Sequence, residues 1–194
     1  NAVEIDNLTY RTRVLQPTLN DISLRITQGD FLAVVGNNGC GKSTLCKVLN
    51  GLIPHFITGE FHGAVRVGGL NTLEAMGVLA QQAGYVYQDF ENQIVRPTVL
   101  DDASYACLNY AFPDYLDGAA ALKQCGLEGR EGEYVWQLSG GQTHLLALAG
   151  AWFLFPDAFS LERWMEGPAR IGSLLFGFVI PVLLLLVKKL RRQV

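Results

Sequence analysis

The chain has 194 residues and a formal net charge of −3. That length holds one domain with a sizeable core and at most a short appendage, and the slight acidity offers nucleic acid no global attraction. Charged residues make up 17%, below the ~25% of ordinary soluble domains, and the shortfall is local, since positions 171–187 carry no charge. In chain order, the first informative stretch is residues 31–35, FLAVV, a continuous apolar run of the kind that forms a strand buried on both faces. It leads into GNNGCGKS, residues 36–43, which fits G-x-x-x-x-G-K-[ST] with Gly36, Gly41, Lys42 and Ser43 in place. Glycines there let the backbone curl so that successive N–H groups face phosphate oxygens. The helix expected to start near Lys42 adds its positive end. Lys42 is placed to reach β- and γ-phosphates and the Ser43 hydroxyl to ligate Mg²⁺. The four cysteines, Cys40, Cys46, Cys107 and Cys125, show neither paired metal spacing nor a dense disulfide pattern, which favours a reducing, cytoplasmic setting. No signal-peptide pattern is read at Asn1, and the start without methionine leaves the true N-terminus expected upstream.

Further along, YVY at 85–87 reads as an apolar strand ending at Gln88. Its amide would then sit at the carboxyl end of a strand, where α/β sheets bind ligands, within reach of Mg²⁺ or water; the plain alternative is a polar loop residue. Ser139, Gly140 and Gly141 open a helix and present a hydroxyl and free N–H groups to an anion. Read as an ordinary helix N-cap, that run would give no reason for Gln142 to follow. His55, His62 and His144 are scattered and read as surface or loop residues rather than metal ligands.

LSGGQ at 138–142 resembles the signature of ATP-binding-cassette (ABC) ATPases. Residues 84–106, GYVYQDFENQIVRPTVLDDASYA, resemble the Q-loop region of the energy-coupling-factor subfamily, which powers cobalt and vitamin uptake. Residues 3–45 resemble the family's opening antiparallel strands and phosphate loop, with Tyr10 at the adenine-stacking position. An aromatic ring there can stack on a purine, although an ordinary strand tyrosine facing the core is the alternative. The resemblance implies an α/β fold, a P-loop NTPase of the ABC nucleotide-binding type. It implies ATP with Mg²⁺ as ligand, held by Tyr10, Asn38, Gly39, Cys40, Gly41, Lys42, Ser43, Thr44, Gln88, Ser139, Gly140, Gly141 and Gln142, with Ser43 and Gln88 on the metal. In the family the signature run meets the γ-phosphate bound by a second subunit. The expected partners are therefore a second ATPase in a head-to-tail dimer and an integral membrane transporter component, at the cytoplasmic face of the membrane, and no nucleic acid. The implied work is ATP binding and hydrolysis that drives uptake of a metal ion or vitamin.

After Gln142 the chain departs from that pattern. The family continues with a basic amphipathic helix, Pro-Asp, an apolar strand and an Asp-Glu pair; this chain reads THLLALAGAWFLFPDAFSLERW. Pro156 and Asp157 align, but the positions of the Mg²⁺-holding aspartate and the catalytic glutamate fall on Glu162 and Arg163. An arginine cannot take a proton from water, Ser160 interrupts the expected strand, and no switch histidine follows His144. The core sheet is therefore expected to lack strands, and no catalytic residue is assigned. Residues 171–187, IGSLLFGFVIPVLLLLV, followed by KKLRR, read as a short membrane span that Pro181 would kink, with a buried core helix as the alternative. Residues 151–192 resemble the last hairpin of spore-germination-type amino-acid permeases. The expected organisation is a truncated nucleotide-binding domain over 1–157, then a linker and an apolar, transmembrane-like helix within 158–194, inserted through 171–187. The competing class is a nucleotide-binding or membrane-anchored module without turnover, or a chimera with a permease C-terminus.

Overall fold

Strand β1 (Val3–Arg11) turns Val3 and Ile5 inward, and strict alternation would then send both Leu8 and Tyr10 to the opposite, outer face. The structure resolves this with a bulge: the pairing with β2 (Leu19–Ile26) shifts between Ile5 and Leu8, and Asn7 takes a φ of 51°. The extra residue returns both Leu8 and Tyr10 to the core face. Asn7 Nδ2 donates to Asp21 Oδ1 at 2.9 Å, the Asn7 amide to Ser23 Oγ at 3.0 Å, and the Asp21 amide to Thr9 Oγ1 at 3.0 Å. Asparagine tolerates this backbone better than most residues. β3 (Glu60–Val67) pairs with the other edge of β1, and β4 (Leu70–Asn71) returns on β3, giving an antiparallel sheet in the order β2-β1-β3-β4.

This computed structural model describes residues 1–12, 16–28, 30, 32–74, 76–80, 83–110 and 118–152. They fall into two compact units, one ending at Tyr85 and the other starting at Val86. In the first unit, helix α1 (Lys42–Leu49) presses Leu45, Val48 and Leu49 onto Val3, Ile5, Leu8, Tyr10, Val65 and Val67 of the sheet. The single turns α2 (Leu52–His55) and α3 (Met76–Leu79) add Ile53 and Leu79. Each such side chain contributes about 1.5–3 kcal/mol of burial, so the back of the glycine loop is anchored to a packed sheet.

The second unit is helical. α4 (Val99–Tyr110), α5 (Gly118–Gln124) and α6 (Gly140–Trp152) meet around Val99, Ala103, Ala121, Leu122, Leu127, Leu146 and Ala149. Thr98 caps α4: its hydroxyl donates to Asp101 Oδ2 at 2.6 Å and accepts from the Asp101 amide at 3.3 Å. Asp102 is buried and accepts the Val95 and Arg96 amides at 2.8 and 2.9 Å. Burial pushes its carboxyl above the usual range, against the pull of those two bonds.

The expected parallel strands are not found where the apolar runs lie. Residues 32–35 and 83–87 form no strand, and Leu32 and Val35 are 42% and 79% exposed. A parallel strand is stable only when neighbours bond its edges and cover its faces. Among the described residues every strand pairing is antiparallel, so these runs lack such neighbours. Among the described residues no helix is long and apolar enough to cross a membrane. Pro156, Asp157, Glu162, Arg163, the boundary at 157 and the run 171–187 lie outside the described residues.

Candidate functional site

The glycine loop ends at Gly41, which takes a φ of 96° as the residue capping α1. A Cβ there would lie 2.7 Å from the Thr18 carbonyl oxygen and 2.9 Å from Leu19 Cδ2. The residue must be glycine, and it holds the helix start tightly against β2. Cys40 donates its amide to the Asn37 carbonyl at 3.3 Å. The amides of Asn38, Gly39, Gly41, Lys42, Ser43 and Thr44 have no hydrogen-bond acceptor among the described residues. Six donors unanswered among the described residues at a helix start are groups that suit an anion. Lys42 turns its ammonium onto the carbonyls of Gly36 and Asn37, both at 2.8 Å, with Cys40 Sγ at 3.7 Å. The Ser43 hydroxyl has no partner among the described residues. It is half-buried on the first turn of α1, as is Thr44. The loop thus offers amides, an ammonium and a hydroxyl, the donor set a Mg²⁺-bound triphosphate requires.

Tyr10 is a correction. Its ring is 1% exposed and packs within the first core, and its hydroxyl donates to the carbonyls of Thr58 and Ile57 at 3.2 and 3.4 Å. A ring enclosed on both faces cannot receive an adenine, and the bulge at Asn7 is what sends it inward.

In the second unit Gln88 is exposed, directly before the 3₁₀ turn Phe90–Gln93. Ser139, Gly140 and Gly141 are exposed at the start of α6, with Gln142 half-buried behind them. Gln142 also corrects the sequence reading. The Ser139 amide donates to Gln142 Oε1 at 2.9 Å and the Gln142 amide to Ser139 Oγ at 3.4 Å, a reciprocal capping box. Gln142 therefore has a local structural reason to follow Ser139. Gly140 and Gly141 have none of that kind, because a Cβ on either would meet nothing within 4 Å.

His55, His62 and His144 are all exposed, as expected. Sequence reasoning missed two features of the second unit. The Phe90 and His144 rings lie 3.5 Å apart between centroids; desolvation holds the His144 imidazole below its ordinary pKa. The Gln93 side chain joins two segments, with only its place in the ENQ run as a signal.

A family profile described as ABC transporter matches residues 19–161. An ABC transporter ATP-binding protein of Pyrococcus horikoshii is 36% identical over 168 residues, covering 84% of this chain and 59% of that protein. The energy-coupling factor transporter ATP-binding protein EcfA1 of Levilactobacillus brevis is 37% identical over 168 residues, covering 84% of this chain and 58% of its own length. Among solved structures, cbiO1 of Clostridium perfringens, part of the ABC transporter complex cbiONQ, superposes with a TM-score of 0.67 at 27% identity, over 79% of this chain and 61% of that one. The chain belongs to the ABC transporter ATP-binding family, with its P-loop NTPase fold. It spans under two thirds of the length of these relatives.

Proposed function

We propose that this chain binds Mg-ATP as part of the ATPase subunit of an energy-coupling-factor-type importer and turns it over poorly or not at all. The observation that carries the binding is the loop from Gly36 to Thr44, where six amides and the Ser43 hydroxyl have no partner among the described residues and the Lys42 ammonium lies at the same helix start. Lys42 would leave two neutral carbonyls for phosphate oxygens, which bear full charge and make the stronger bond. Ser43 would hold Mg²⁺, which offsets the negative charge of the phosphates. Ser139, Gly140 and Gly141 would meet the γ-phosphate bound by a second ATPase subunit. Glycine costs a helix interior about 1 kcal/mol relative to alanine, and no contact among the described residues offsets it at 140 or 141; an approaching ligand gives both glycines a purpose. The L. brevis protein, named an energy-coupling factor transporter ATP-binding protein, and the C. perfringens protein, part of an ABC transporter complex, support the transporter reading; a metal ion or vitamin as cargo, and an integral membrane partner at the cytoplasmic face, are what the sequence resemblance implies.

The poor turnover rests on Glu162 and Arg163 standing where the family has its Asp-Glu pair. The test is phosphate release from ATP by the whole chain against a Lys42→Ala control. No difference between them is expected. Turnover that is lost on Glu162→Gln would show that a carboxylate does activate water here, and would reverse this part of the reading.

A further inference from the structure

The Gln93 side chain is used at both ends. Its Oε1 accepts the Tyr87 amide at 3.1 Å, and its Nε2 donates to the Ala147 carbonyl in the middle of α6 at 3.2 Å. Tyr87 is the neighbour of Gln88, and α6 begins at the Ser139 cap. Only a side chain that both accepts and donates can close this bridge; a carboxylate can only accept, an ammonium only donate, and a leucine does neither. The rest of the turn supports the same docking. Asn92 donates through its side chain to Asp89 Oδ2 at 2.7 Å and through its amide to the Asp89 carbonyl at 3.1 Å. Phe90 lies on His144, one turn before Ala147 on α6. On the far side, Asp102 fixes the Val95 and Arg96 amides without any help from Gln93.

We infer that Gln93 is a positioning residue that fastens the Gln88 segment to the signature helix, so that the two phosphate-sensing runs of the second unit move as one piece. This deepens the proposed function, since it matters for nucleotide only if Gln88 and Ser139 meet it. The link itself is testable without nucleotide.

The experiment is amide hydrogen exchange on the full chain, with Gln93→Leu and Gln93→Glu beside the wild type. In Gln93→Leu the Tyr87 amide should exchange about five- to tenfold faster, the loss of one hydrogen bond, while Val95 and Arg96 keep their protection. In Gln93→Glu at neutral pH the carboxylate still accepts from Tyr87 but sets an acceptor against the Ala147 carbonyl. Lowering the pH protonates it, restores a donor and should restore wild-type protection of the 85–93 and 138–152 segments, after correction for intrinsic exchange. Unchanged Tyr87 protection in Gln93→Leu, equal loosening at Val95 and Arg96, or a Gln93→Glu variant without pH recovery would each overturn the inference. Added Mg-ATP should shift both segments together in the wild type and separately in Gln93→Leu. Joint shifts that persist in Gln93→Leu would overturn the linkage. A wild type indifferent to Mg-ATP would instead overturn the proposed nucleotide binding, and the ligand-free comparison would still decide the role of Gln93.

Discussion

Gly41→Ala should be among the most damaging single-methyl additions in the first unit. At a φ of 96°, an L side chain costs about 1–2 kcal/mol in backbone strain. The added Cβ would also press on the Thr18 carbonyl oxygen at 2.7 Å. That carbonyl cannot easily retreat, because the Thr18 amide donates to the Tyr10 carbonyl at 2.9 Å and so ties the peptide to β1. Leu19 Cδ2, at 2.9 Å, can rotate away. Overpacking of this kind adds about 1–3 kcal/mol, for a total near 3 kcal/mol. In a chain of this size that lowers the melting temperature by roughly 6–12 °C. Gly39→Ala is the control: its φ is 82°, and a Cβ there meets nothing within 4 Å, so it should show the strain alone. Thermal and urea unfolding of the full-length variants measure both. If the two variants unfold within about 0.5 kcal/mol of each other, the close approach at Gly41 is not real and the loop is not seated on β2 as described.

Ser139→Ala should cost about 1 kcal/mol. Combined with Gln142→Ala in a double-mutant cycle, it should show about 0.5–1 kcal/mol of coupling; strict additivity would contradict the capping box. Cys40 is exposed and should be alkylated by iodoacetamide, with Mg-ATP protecting it. Cys46 and Cys125, whose thiols burial pushes up to about 11, should label roughly 100-fold more slowly. Peptide mapping by mass spectrometry reads all three, and equal labelling of Cys40 and Cys46 would contradict the loop geometry.

The glycine turn into α1 was legible from residue types alone, because Gly41 takes a positive φ at the start of the helix expected near Lys42. What could not be read locally was set by pairing across the chain. Tyr10 belongs to the core because an extra residue at Asn7 turns the strand, and no alternation rule applied without that bulge shows it. Residues 31–35 have the composition of a buried strand, but a parallel strand also needs flanking strands, and the sequence after Pro156 already argued against one of them. Gln142 has a structural role that is visible in sequence, because S-x-x-Q is a capping pattern and the reciprocal bonds to Ser139 follow from it. Gln93 had no such signal. Its role depends on α6 lying beside the turn, which only tertiary packing decides.

The proposed binding of a nucleoside triphosphate to this loop depends on Lys42 and the open amides beside it. Calorimetric titration of the full chain with Mg-ATP, wild type against Lys42→Ala, tests it most directly, with circular dichroism to show that both are folded. Measurable binding by the wild type is expected, with a ten- to hundredfold loss in the variant, the worth of a charge-assisted contact of about 1.5–3 kcal/mol. Equal affinity in the two folded proteins would contradict it.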